Sequence, residues 1–197
     1  ETNVAEIIIA ETGRLAAQFG QVQVAEDCLS KASTGRSPIA RINGMLITAE
    51  LSLSKGDSMT LEEKCEIINS CCHTMSLAMY QGDLVTVQDA AALLWSHAVQ
   101  IISKNGSQIK RYLVGACDIL NKVNSQANLL RSQIHFALAK IFENEKDNVK
   151  ALDHLKKALS LDYFWSDHPT RLIHPFDRFI VPFYRMLNVT FDSYGQQ

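Results

Sequence analysis

Apolar residues recur along this chain at steps of three and four, and short polar or glycine-containing breaks divide them into separate helices. Leu61, Cys65, Ile68, Cys72, Met75 and Met79 keep that spacing most strictly, and Thr60 with Glu63 three residues on forms a capping box at the start of the helix they predict. Ser37 as cap and Pro38 as first helical residue open another helix, whose buried stripe is Ile42, Leu46, Ala49 and Leu53 and whose stop is Lys55-Gly56-Asp57. Gln81-Gly82-Asp83 turns into Leu84, Val87, Ala91, Leu94, Ala98 and Ile101. Asn105-Gly106-Ser107 predicts a further turn, into Ile109, Leu113, Ala116, Leu120 and Val123. At the start of the chain Val4, Ile7, Ile8 and Leu15 share one helical face and Phe19-Gly20 ends the run.

The pattern is densest between Leu129 and Asp162, which reads as one antiparallel helix pair. Leu138, Ala139 and Phe142 precede a turn at Glu143 to Asp147, and Ala151, Leu155 and Ala158 follow it. Small residues at 139, 151 and 158 let two backbones approach, while Leu138, Phe142 and Leu155 fill the seam. This is the tetratricopeptide pattern, with His135 where a Trp is usual and Tyr163 where a Pro is usual. Gly13, Ala25, Leu29 and Ala32 repeat the spacing of 139, 151, 155 and 158. Pair starts near residues 4, 38, 84 and 126 are separated by 34, 46 and 42 residues, unequal steps that predict irregular curvature. The expected fold is therefore all-α, an irregular tetratricopeptide-like solenoid of about four helix pairs over residues 1–162.

Residues 163–197 differ in composition: nine of the fifteen aromatic residues and three of the four prolines lie between Tyr163 and Tyr194. Leu172 to Leu187 is expected to form a helix kinked at Pro182 that caps the last pair over Leu152 and Leu155 or docks to a neighbour. Net charge of −2 gives no field that favours nucleic acid or an anionic membrane. No apolar run approaches the length of roughly 18 residues that a membrane helix needs, so a soluble chain is expected. The start at Glu1 rather than Met is expected of a segment of a longer protein. Five cysteines, none in a CxxC pair, suit a reducing compartment.

Candidate chemistry is sparse. HExxH, GxxxxGK[ST], GxGxxG and GxSxG are all missing, so no catalytic residue and no cofactor is expected. Cys71, Cys72 and His73 are consecutive, and on a helix they point about 100° apart, away from any common metal ion. Cys72 is expected in the core, Cys71 and His73 on the surface. The six histidines fall on separate elements, and His168 and His174 beside Pro169 and Pro175 read as polar tail residues. A carboxylate clamp needs cations on the first helix of each pair; those places hold Ile7, Ala10 and Arg14, then Gln133, Phe136 and Lys140. Two cations among apolar neighbours suit a hydrophobic or mixed partner better. The candidate partner surface is Arg14, Gln133, Phe136, Lys140, Trp165, Phe179 and Phe183.

Leu129-Leu130-Arg131, Gln133, His135, His154-Leu155, Lys157-Ala158 and Leu161-Asp162 are the residues through which the chain resembles the N-terminal tetratricopeptide-rich region of the cilia- and flagella-associated protein 46 family. The likeness extends more loosely to Val24–Leu29 and to Thr86–Trp95. It implies a non-enzymatic structural subunit of a central-pair projection in the axoneme of motile cilia. Implied partners are other large projection proteins, with calmodulin among the neighbours, in one hetero-complex. Within Ile109–Lys122, Lys110 and Arg111 are too few positive charges to argue for calmodulin contact. The other expectation is a cytosolic repeat adaptor that takes a peptide or helix in its concave groove.

Overall fold

The structure is a computed structural model that describes residues 2–33, 37–53, 55 and 58–166, with side chains at 4–32, 37–53, 55 and 58–161. Among them the chain is all-α: α1 (Thr2–Gln18), α2 (Val22–Ser33), α3 (Pro38–Leu53), α4 (Leu61–Gln81), α5 (Leu84–Lys122), α6 (Asn128–Asn144) and α7 (Asn148–Ser166). The expected aromatic helix at 172–187, with Phe179 and Phe183, lies outside the described residues, as does the side chain of Trp165.

Local chemistry sets several helix ends. Ser37 Oγ accepts from the Ala40 amide at 3.4 Å at the head of α3. At the head of α4 the Glu63 amide donates to Thr60 Oγ1 at 3.2 Å and the Thr60 amide donates back to the Glu63 carboxylate at 2.7 Å, a complete capping box. Asp83 starts α5 by accepting from the Thr86 amide at 3.1 Å and the Thr86 hydroxyl at 2.6 Å. Gly82 takes φ of 72° after α4 and binds back to the carbonyls of Ala78 and Met79, a left-handed cap that glycine adopts without steric penalty.

Successive helices pack as neighbours. α1 lies on α2 and α3, α4 on α5, and α6 on α7 and α5. The main core runs from α3 to α7 and includes Leu46, Ile68, Met75, Leu94, Leu113, Leu120, Ile134 and Leu138. Smaller clusters join the ends: Ala10 with Ala32 and Ala40, Ala16 with Ala25 and Ile47, and Ala139 with Leu155 and Ala158. Of the ten seam candidates, Gly13, Ala25, Ala32, Leu138, Ala139, Phe142, Ala151, Leu155 and Ala158 are buried and Leu29 is half-buried.

Four expectations change. Asn105-Gly106-Ser107 breaks the helix where expected, but as a kink rather than a turn: two helical arms meet at Asn105, at φ −128° and ψ 26°, within the 39 residues of α5. Gly106 serves contact instead, since a Cβ there would lie 2.8 Å from Ile141 Cγ1 of α6. On α1 Val4, Ile8 and Leu15 are exposed and Ile7 is half-buried, while Ala10, Gly13 and Ala16 are buried. Small residues bring α1 close to two helices at once, and a larger set could not occupy that side. α7 runs past Asp162 to Ser166, because Tyr163 keeps the backbone N–H that a Pro would have removed. Cys71 is in the core and Cys72 half-buried, because the buried arc of α4 runs Ile68, Cys71, Met75 and Ala78.

Candidate functional site

A cleft of ≈ 250 Å³ opens where α1, α3 and α5 meet, lined by Arg14 and Gln18, by Leu46, Glu50 and Leu53, and by Asp89, Ala92, Leu93 and Ser96. Arg14 sits one residue past the buried Gly13 that seats α1 against its neighbours, and its guanidinium crosses the cleft to an ion pair with Asp89. The Arg14 side chain is 15% exposed and that of Asp89 40%, so the pair is open to solvent on its acidic side. Burial pushes the Glu50 carboxyl above its usual range; Arg14 pulls it down and Asp89 pushes it further up. Two carboxylates thus face one guanidinium, over a floor supplied by leucines.

This lining can hold a side chain but offers no nucleophile with a base. The Ser96 hydroxyl donates to the Ala92 carbonyl of its own helix at 2.9 Å. No group of three or more His, Cys, Asp or Glu suited to a metal ion occurs among the described residues. Burial pushes the thiols of Cys71 and Cys117 up to about 12, which keeps both protonated and unreactive. No helix among the described residues is long and apolar enough to cross a membrane.

Among the described residues, the partner-surface candidates do not converge. Arg14 belongs to this cleft and is neutralised by Asp89. Gln133, Phe136 and Lys140 are on α6, whose packing neighbours are α5 and α7. Phe136 is half-buried against Ala139, Leu155 and Ala158, and Lys140 pairs with Glu143 at 3.1 Å. Ala10, placed at the groove by its spacing, is fully buried. Both cations of the weak clamp are therefore taken by carboxylates of the chain itself.

Glu50, Asp89 and Gln18 went unnoticed in the sequence, since nothing local marks a partner 75 residues from Arg14. A second assembly was also missed. His135 of α6 and His154 of α7 are unequally spaced from the turn between the two helices, yet the hairpin brings them together. Their Nδ1 atoms are 2.9 Å apart.

Compared with known proteins, the chain matches no family model and no solved structure.

Proposed function

We propose that the chain is a tetratricopeptide-like repeat segment acting as a structural scaffold, without catalysis, in a central-pair projection of the ciliary axoneme. One observation supports a scaffold above all: the hairpins at both ends, α1 with α2 and α6 with α7, meet through alanine and glycine at corresponding spacings, the interface of units built to stack. The ciliary assignment adds the likeness carried by Leu129–Asp162 and its buried His135. In this role the chain contributes packing surfaces to other projection proteins and supports assembly and beating. Mass spectrometry of isolated axonemes tests it. The protein is expected in intact axonemes and should be lost with the central pair; its persistence in axonemes that lack the central pair would overturn the assignment.

The cleft favours one second reading, a cytosolic adaptor whose groove holds a peptide or helix. Its leucine floor and two carboxylates suit an amphipathic segment with a basic side chain. Resonance shifts confined to α1, α3 and α5 on adding such a peptide would support it.

A further inference from the structure

Three helices bring Cys117, His135 and His154 together. His135 is 3% exposed, and the His154 ring stacks on Phe142 with centroids 5.3 Å apart and planes at 13°. Nδ1 of His135 is 2.9 Å from Nδ1 of His154 and 3.7 Å from the Cys117 sulfur. Two facing nitrogens share a hydrogen bond only if one carries a proton and the other does not. The thiol of Cys117, held protonated by burial, also has its hydrogen to offer. The arrangement in which the thiol also donates makes His135 Nδ1 the bare acceptor of both contacts, with its own proton on Nε2 and His154 donating from Nδ1.

Adding one proton to the pair still leaves one N–H···N contact between the rings. Adding two puts N–H against N–H and two charges across 2.9 Å. The surroundings do not relieve this. Arg131 on α6 opposes a charge on His135 and Lys157 on α7 opposes one on either ring, while Asp153 on α7 favours both and Asp118 on α5 favours one on His154. Lys157 is itself paired with Asp153 at 2.7 Å. Lys110 and Lys150 hold their ammonium groups over Phe142, the ring that stacks on His154. Burial, the largest influence, also favours neutral rings, and it drives His135 down to about 4 and His154 below its usual value.

We propose that the His135–His154 pair is a pH-operated latch on the α6–α7 hairpin: neutral rings hold α7 down, and acidification that protonates both lifts it and uncovers the seam of Ala139, Leu155 and Ala158. Opening frees rings that titrate near 6.5, so between about pH 7.5 and 5.5 the opening equilibrium rises about tenfold for each ring that stays neutral while closed. The range is therefore about tenfold, from His135 alone, to about a hundredfold for both.

Amide hydrogen exchange on the full chain, corrected for the intrinsic effect of pH, reads this directly. Amides of α7 should lose protection by that factor, while those of α4 around Ile68 and Met75 keep theirs. His154→Gln removes one titrating ring and should cut the α7 effect to about tenfold or less. Nitrogen-15 shifts of the unaltered protein near pH 7.5 should show His135 protonated at Nε2 and His154 at Nδ1, a readout that does not depend on the variant folding. The latch is overturned if α7 protection does not respond to pH, if His154→Gln keeps a full hundredfold response, if both Nδ1 atoms carry protons near pH 7.5, or if purified protein holds stoichiometric zinc.

Discussion

Gly13→Ala adds one methyl group at the closest approach of three helices. The new Cβ would lie 2.7 Å from Cys28 Cβ on α2 and 2.7 Å from Ile47 Cδ1 on α3. Carbon atoms prefer about 3.5–4.0 Å, so one or both neighbours must yield by about 0.8 Å or more. Ile47 can swing its terminal methyl, but Cys28 Cβ is fixed to the backbone of α2, so α1 and α2 must part. Overpacking of this kind costs about 1–3 kcal/mol, and the better helix propensity of Ala returns about 0.5–1 kcal/mol. The net loss is about 0–2.5 kcal/mol, a Tm lower by up to about 10 °C at this chain length. Gly44→Ala is the matched control, because its Cβ would meet Leu29 Cδ1 at 3.6 Å and Ala32 Cβ at 3.9 Å, ordinary contact distances. It should gain about 0.5–1 kcal/mol, since the propensity change is the same and no neighbour must move. Thermal and urea melts of both variants followed by circular dichroism compare them directly. Gly13→Ala melting at or above Gly44→Ala would refute the packing argument.

Ala151→Leu, at a site only 6% exposed, should cost about 1–3 kcal/mol by overpacking, and an unchanged melting midpoint would remove Ala151 from the core. Thr60→Ala should cost about 1 kcal/mol through the lost acceptor for the Glu63 amide, with faster exchange in the first turn of α4. The Thr60 amide, and then its hydroxyl, hold the Glu63 carboxyl below its ordinary value of 4.5, so the stabilisation is present above that pH and lost as pH falls through the lower folded value. Acid titration of the melting midpoint should accordingly be shallower in Thr60→Ala than in the parent. Cys71 and Cys117, buried with thiols at about 12, should resist iodoacetamide near pH 8 until denaturant is added; mass-spectrometric labelling of either in the folded protein would contradict their burial.

Helix ends were readable because their determinants are local: Thr60 with Glu63, Ser37 before Pro38 and Gly82 after α4 each act within a few residues. The buried side of α1 was not, because Ala10, Gly13 and Ala16 carry little hydrophobic signal and matter only through how closely α2 and α3 approach. Gly106 carried an ambiguous signal, since glycine serves a turn and a close helix contact equally well. Cys71 and Cys72, about 100° apart on a helix, could exchange roles with a small rotation of the buried arc. The Arg14–Asp89 pair joins helices that no local pattern relates, so the cleft had no sequence signature beyond a cation on α1.

The bend in α5 has a mechanical meaning. Its 39 residues, at about 1.5 Å each, give a strut roughly 58 Å in contour. The first arm bears on α3 through His97, whose Nε2–H donates to the Ala49 carbonyl at 3.0 Å. The second bears on α6 through Gly106 against Ile141 and on the cap residue after it through Lys110 against Glu145. A load on the α6–α7 end would therefore reach α3 through two helical arms joined at the Asn105 kink, where Ile141 packs against Gly106 beside the joint. Ile141→Ala would empty that contact and leave the other attachments of both arms in place.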